Sequence, residues 1–178
     1  TQHLGRLGYR VGIAGKIHTR PEDVFSFERI EGLERSSVSE TSDFDEAAMR
    51  RFIDREPGKP FCLVTALITP HIPWTVGDPS HFNPEELDLP PNLADTDDTR
   101  EQFTRYLAEI EVLDQQVGRT LEMLDESGQT ENTIVIFTSE QGSQFPGCKW
   151  TNWDTGVHTG FVVRWPGKVT PGVRTDAL

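Results

Sequence analysis

Two rhythms of apolar residues organise this chain. Between residues 100 and 126, Phe103, Tyr106, Leu107, Ile110, Leu113, Val117, Leu121 and Leu124 recur at three- and four-residue steps, and Gly128 follows. That period predicts a long amphipathic helix with a glycine stop. A second helix is expected from Asp43, where Asp43 and Glu46 make a capping-box-like pair and Phe44, Ala47, Ala48 and Phe52 share a face, up to Glu56-Pro57-Gly58. Leu4, Leu7 and Gly8 read as the end of a first helix. The other rhythm is the unbroken apolar run. Residues 60–68 and 132–138 are of this kind, the mark of strands covered on both faces. Residues 9–14 and 160–165, the latter closed by Pro166-Gly167, read as shorter strands. Residues 21–42 carry mixed signals and are expected to be mostly loop. A Pro-rich stretch to about residue 99 is expected to be a long loop, a length that in compact domains goes with function or disorder.

Strand and helix alternate, so the expected fold is α/β, a mostly parallel sheet sandwiched by helices. Ligands of such sheets bind beyond the carboxyl ends of the strands. Three of the expected strands end in residues capable of chemistry: Lys16 and His18, then His71, then Glu140 and Gln141. Lys16 and His18 sit two apart, a spacing that in extended chain turns both toward one anion, or marks a surface pair. His71 stands between Pro70 and Pro73, in a backbone stiffened by proline, and either serves a site or caps a strand end. Glu140-Gln141-Gly142 offers a carboxylate and an amide oxygen, hard ligands suited to Ca²⁺ or Mg²⁺ rather than zinc, or else forms an exposed turn. Lys149 lies in the loop that follows. Trp74, Trp150 and Trp153 are candidates for a wall facing a sugar, with packing as the competing role.

With 178 residues the chain is long enough for one domain with its own core. Its formal net charge of −12, with no Lys/Arg cluster, argues against nucleic acid as a partner. An anionic substrate would need a local basic pocket. No apolar run approaches the roughly 20 residues that span a bilayer, and the first residues have no signal-peptide pattern. The chain does not begin with Met and is read as cut at both ends. Cys62 and Cys148 show no metal or redox spacing and read as two free thiols.

Several of these segments together resemble the formylglycine-dependent sulfatases. Gly12-Ile13-Ala14-Gly15-Lys16-Ile17-His18 is similar to their Gly-Lys-x-His segment. Pro60-Phe61 through Pro70-His71-Ile72-Pro73 is similar to their Pro-Phe…Pro-His-x-Pro strand and loop. Leu113-Asp114-Gln115-Gln116-Val117-Gly118 and Leu124-Asp125-Glu126-Ser127-Gly128 resemble their central helix. Residues 132–139 with Glu140-Gln141-Gly142 resemble their metal-binding strand end, and Val163-Arg164-Trp165-Pro166-Gly167 the strand after it. The segments run in family order from about residue 4 to the end, which is more specific than any one of them.

The resemblance implies an alkaline-phosphatase-like α/β fold, with residues 1–178 as part of a single catalytic domain truncated at both ends. It implies hydrolysis of sulfate esters or sulfamates, with a sulfated sugar or small sulfate ester as partner. By motif, Lys16, His18, His71 and Lys149 match residues that contact the sulfate or serve the leaving group and formylglycine. Glu140 and Gln141 match the second pair of ligands for Ca²⁺ or another divalent cation. The formylglycine, made from Cys or Ser in a Cys/Ser-x-Pro-x-Arg motif, is expected upstream of residue 1, because neither cysteine here has those neighbours. This segment alone is therefore expected to be inactive. One departure is visible in the residues present. The family pair is usually Asp with Asn or His, so Glu140 and Gln141 are each longer than usual. The stretch from Ser143 to Thr151 resembles the sulfamidase-like branch. The rival readings are a phosphodiesterase or phosphonate hydrolase of the same superfamily, or a sulfatase-like domain that binds sulfated glycans without turnover. A periplasmic, extracellular or lysosomal location goes with the resemblance.

Overall fold

A computed structural model of the protein describes residues 1–33, 35 and 44–175. They form two compact units, one ending at Met123 and one beginning at Leu124, so the boundary falls in the last turn of the long helix. The first unit holds α1 (Gln2–Arg6), β1 (Arg10–Gly15), β2 (Glu28–Ile30), α2 (Ala47–Asp54), β3 (Phe61–Ala66) and most of α3 (Asp97–Glu126). The second holds β4 (Val135–Thr138), α4 (Asp154–Val157) and β5 (Phe161–Arg164).

In the first unit β1 is the central strand of a parallel sheet ordered β2-β1-β3. Gly12 pairs with Glu28 on one side and Leu63 on the other, and Gly15 with Ala66. Strand alternation sends Arg10, Gly12 and Ala14 to one face. Ala14 is fully buried there with Ile30, Met49, Phe52, Ile53 and Met123, and Phe61 and Leu63 pack against the same cluster. Gly12 is required by this contact. A Cβ at that position would lie 2.6 Å from Ile30 Cδ1 and 2.9 Å from the Phe52 ring. Arg10 sits at the foot of the same face, 6% exposed. Its guanidinium donates to the carbonyls of Phe52 and Ile53, the latter at 3.0 Å, and so caps the C-terminal end of α2. It also stacks 4.9 Å from the Phe52 ring centre and lies 3.6 Å from the Glu56 carboxylate.

The expected elements are found with shifted ends, and two were not anticipated. β2 lies inside the stretch expected to be loop, because three residues are too few for a periodic signal. α4 is a four-residue helix with the same difficulty. α2 starts at Ala47 rather than Asp43, and Asp43 lies outside the described residues. α3 begins at Asp97, where the Thr99 N–H donates to Thr96 Oγ1 at 3.2 Å. The larger correction concerns burial. β1 is buried at every position but Val11; β3 is half-buried, with Val64 37% exposed, because it is an edge of the three-stranded sheet. β4 and β5 are paired antiparallel in a separate two-stranded sheet, Ile136 opposite Val163, and expose Ile136, Phe161 and Val162.

Residues 67–96 contain two short 3-10 turns, Pro79–His81 and Pro84–Glu86. His81 fastens the first of these to α3: its Nδ1 lies 2.9 Å from Glu111 and its Nε2 3.6 Å from Asp78. The Glu111 carboxylate is the main reason that its pKa is raised.

Two predictions follow from these contacts. Replacing Arg10 by Met strands two helix-end carbonyls and should cost roughly 2–4 kcal/mol, with Arg10→Lys intermediate, in urea denaturation of the full-length protein. Because the folded-state pKa of His81 is raised, its contribution is complete below the unfolded-state value of about 6.5 and disappears as pH rises through the folded value. His81→Gln should therefore lower thermal stability at pH 5.5 and leave it unchanged at pH 8.5.

Candidate active site

The parallel pairing of β1 and β3 brings the ends of both strands to one edge of the sheet. The Lys16 N–H donates to Ala66 O at 3.1 Å, extending the ladder one residue past β1. Gly15 takes φ +89, so strand alternation stops before Lys16 and does not fix how Lys16 and His18 point relative to each other. Lys16 is half-buried and His18 exposed. His71 follows β3 by five residues, in the turn where its own N–H donates to Ile68 O at 3.0 Å. It is half-buried, and Nδ1 lies 2.6 Å from Ile72 O. A carbonyl only accepts, so in this contact Nδ1 donates. Lys16, His18 and His71 thus stand beyond the C-terminal ends of adjacent parallel strands, where sheets of this class bind ligands.

The loop of His71 is held by α3. Thr69 Oγ1 donates to Gln116 Oε1 at 3.1 Å. The Trp74 indole donates to Pro70 O at 3.3 Å and meets Tyr106 edge-on with ring centres 5.6 Å apart. The N–H groups of Thr75 and Val76 both donate to Glu109 Oε1, at 2.8 and 3.4 Å. Trp74, at 7% exposure, is therefore a packing residue, not a wall facing solvent. Glu109 and Gln116 had no place in the sequence reading. The signal that could have found them is a carboxylate and an amide seven residues apart, on one line of the helix beside its apolar stripe.

Glu140, Gln141 and Lys149 belong to the second unit. β4, whose end carries Glu140, pairs with β5 and not with the strands of the first sheet, contrary to the expectation of one sheet for all the strand ends. The segment after β4 is closely built. Ser139 N–H donates to Gly160 O at 3.3 Å, and Gly160 N–H returns to Ser139 Oγ at 3.2 Å. Gly142 N–H donates to Gly156 O at 3.1 Å, and a Cβ on Gly142 would overlap the carbonyl of Thr155. The Lys149 N–H closes the loop on Ser143 O at 2.8 Å, and its ammonium lies 5.3 Å from the Trp150 ring centre. Trp150 and Trp153 are 84% and 66% exposed. Glu140 is exposed and Gln141 half-buried, adjacent in sequence and both oxygen donors. The donor chemistry suits a hard cation, but two side chains do not complete a shell of six or more oxygens. Among the described residues no group of three or more His, Cys, Asp and Glu side chains could hold a metal. Neither cysteine forms a disulfide, and burial pushes the Cys62 thiol up, so it stays protonated near neutral pH.

Against this arrangement, the family model described as Sulfatase matches residues 2–177. The chain belongs to the sulfatase family. An ulvan-active sulfatase of Formosa agariphila is 28% identical over 188 residues, covering 100% of this chain and 35% of that protein. The human N-sulphoglucosamine sulphohydrolase is 27% identical over 197 residues, covering 94% of this chain and 36% of its own length. Among solved structures, a Bacteroides thetaiotaomicron protein from work on the metabolism of multiple glycosaminoglycans superposes with a TM-score of 0.73 at 18% identity. That match covers 92% of this chain and 46% of the other, and it establishes the alkaline-phosphatase-like sulfatase fold. The chain spans about a third of the length of these two curated relatives.

The glycine contact in the second unit yields a test of how the segment bearing Glu140 and Gln141 is held. The atom that a Cβ on Gly142 would meet is backbone, so no rotamer change relieves it. Gly142→Ala should cost roughly 2–3 kcal/mol locally. Hydrogen exchange should speed up at the amides of Gly142 and Lys149 and stay unchanged in β1.

Proposed function

We propose that the full-length protein is a hydrolase of sulfate esters or sulfamates carried on a sulfated sugar. Family membership across residues 2–177 is the observation that carries this reading. The name of the human relative, N-sulphoglucosamine sulphohydrolase, supports a sulfated amino sugar as the substrate class. Such substrates fit action in the periplasm, outside the cell or in a lysosome. Among the described residues, no helix is long and apolar enough to cross a membrane.

The residues divide the chemistry between them. By motif, Lys16 and His18 in the first unit and Lys149 in the second are each read as sulfate contacts, whose role is to counter the charge that spreads over its oxygens in the transition state. His71 delivers a proton from Nε2 to the departing oxygen or nitrogen, with its ring aligned by the Nδ1 hydrogen bond to Ile72 O. Glu140 and Gln141 furnish part of the oxygen shell of a divalent cation, Ca²⁺ by family, which when bound polarises the sulfate. The attacking group belongs to a Cys/Ser-x-Pro-x-Arg motif, which residues 1–178 do not contain.

The test uses the full-length protein with an aryl sulfate, an N-sulfated glucosamine and a phosphonate monoester. Sulfate release is expected, with a formylglycine found by mass spectrometry. His71→Ala should lower turnover by about 10²–10⁴-fold. Glu140→Ala should lower Ca²⁺ affinity and turnover together, measured by calorimetric titration and rate. If Glu140→Asp matches the wild type, the longer side chain is tolerated drift; if it weakens binding, the site is built for Glu. Preferred turnover of the phosphonate would move the protein to the related hydrolases. Glycan binding without turnover, with Ca²⁺ affinity untouched by Glu140→Ala, would make it a binding domain.

A further inference from the structure

We propose that Glu109 is a positioning residue for His71, fixing the imidazole by clamping the loop that carries it onto α3. The proposal rests on the reading of His71 as the proton donor, but its physical core lies in the first unit alone. Glu109 is 2% exposed. A carboxylate is rarely buried to that degree unless it is bonded, since desolvation costs several kcal/mol. Its bonds go to the N–H groups of Thr75 and Val76, two consecutive backbone donors converging on one oxygen. Burial raises its pKa, and these two hydrogen bonds oppose the rise, so the bonding stabilises the charged form.

Glu109 does not act alone, and its companions show what the clamp is for. Gln116, 6% exposed, takes the Thr69 hydroxyl two residues before His71. Glu109 takes the amides four and five residues after it. The two helix positions are seven apart, which places them on one face of α3 about 10 Å from each other along the axis. One turn before Glu109 on the helix, Tyr106 meets Trp74. Just beyond, Gly77, at φ +82, passes so close to the helix that a Cβ would lie 2.5 Å from Ala108 O. These fixed points of residues 69–77 all lie on α3, and His71 is bracketed by two buried polar anchors. The ring is tied to its own loop through the 2.6 Å contact of Nδ1 with Ile72 O, so a displacement of the loop is a displacement of the imidazole. Apolar packing at 109 would bury the same surface without fixing the loop along the helix. Two directional bonds to consecutive amides fix it. The buried carboxylate therefore makes sense as a device for placement.

The experiment compares Glu109→Ala and Glu109→Gln with the wild type in the full-length protein. It reads kcat and KM for the sulfated substrate, deuterium uptake of the peptide covering residues 72–77, and the ¹⁵N imidazole signals of His71. Glu109→Ala should lower kcat by about 10–100-fold with KM within about threefold, since a misplaced catalytic group loses orientation and not affinity. Uptake in residues 72–77 should rise about tenfold or more while β1 and β3 stay protected, as a local opening requires. The His71 signals should shift or broaden. Glu109→Gln keeps an acceptor at the same reach and should recover most of the rate and the protection. Unchanged uptake and unchanged His71 signals in Glu109→Ala would overturn the proposal. So would a loss of protection spread evenly over the first unit that Glu109→Gln fails to repair, which would make Glu109 an ordinary core group. If the wild type releases no sulfate, the proposed function fails, while uptake and the imidazole signals still decide whether Glu109 places His71.

Discussion

A buried guanidinium holds the first unit together. Arg10 enters the core at the foot of the central strand, and its two terminal nitrogens donate to what α2 leaves unbonded, the carbonyls of Phe52 and Ile53. A helix end buried without partners would be costly, and a buried cation without partners more so. Each cancels the other's penalty, and Glu56 supplies the countercharge. The contact also sets the position of α2 along β1. With the C-terminal end of α2 fixed at Arg10, Phe52 falls over Gly12, and Gly12 must be glycine to receive it. Ala14, two residues further along the strand, then closes the cluster with Ile30 and Met49. The edge of the sheet that carries Lys16 and the His71 turn is thus referred to a helix packed at the other end of β1.

From that edge onward, backbone bonds no longer suffice. β3 ends at Ala66, and residues 67–96 contain only two short 3-10 turns. A loop of that length has to be fastened by side chains if it is to hold a catalytic group in one place. α3 provides the fastening between Arg100 and Gln116. Arg100 donates to the carbonyls of Pro84 and Leu87, Glu111 meets His81, Glu109 takes Thr75 and Val76, and Gln116 takes Thr69. The helix reads the loop backward, its N-terminal residues meeting the loop's late residues, as expected when a chain doubles back on the segment before it.

How much of this was legible in the sequence depends on length and polarity. The 30-residue α3 and the six-residue β1 and β3 were readable, because each spans several periods of its own rhythm. The three-residue β2 and four-residue α4 were not, since a segment shorter than about one period carries no periodicity to detect. The pairing of β4 with β5 was misjudged for a different reason. An unbroken apolar run says that both faces of a strand are apolar, but it does not say which strand is the neighbour or in which direction it runs. The positions of Lys16, His18 and His71 followed from strand ends alone. Glu109 and Gln116 did not, because a polar residue beside an apolar stripe reads as a solvated position until its partner is seen. The apolar positions Phe103, Tyr106, Leu107 and Ile110 are only half-buried, whereas Thr104, Ala108, Glu109 and Gln116 are buried. The apolar stripe gave the helix correctly and its buried face only roughly.

Net charge deserves the same local reading. At −12 the protein as a whole repels an anion, yet at physiological ionic strength charges more than about 8 Å apart are largely screened. Many of the acids are also paired at the surface of the first unit: Glu28 with Arg55 at 2.5 Å, Glu46 with Arg119 at 2.6 Å, Asp95 with Arg100 at 2.6 Å and Glu101 with Arg105 at 2.9 Å. Those pairs contribute little to stability individually, but they occupy the arginines. The basic residues beyond the ends of β1 and β3 are of another kind, Lys16, His18 and His71, one amine and two imidazoles. Arginine recognises a carboxylate or phosphate bidentately and keeps its charge at all working pH. An imidazole gives that up in exchange for a proton it can release near neutrality. A site meant only to bind sulfate would be better served by arginine. Histidine at two of the three positions beyond the strand ends fits the proposed role of His71 as a proton donor.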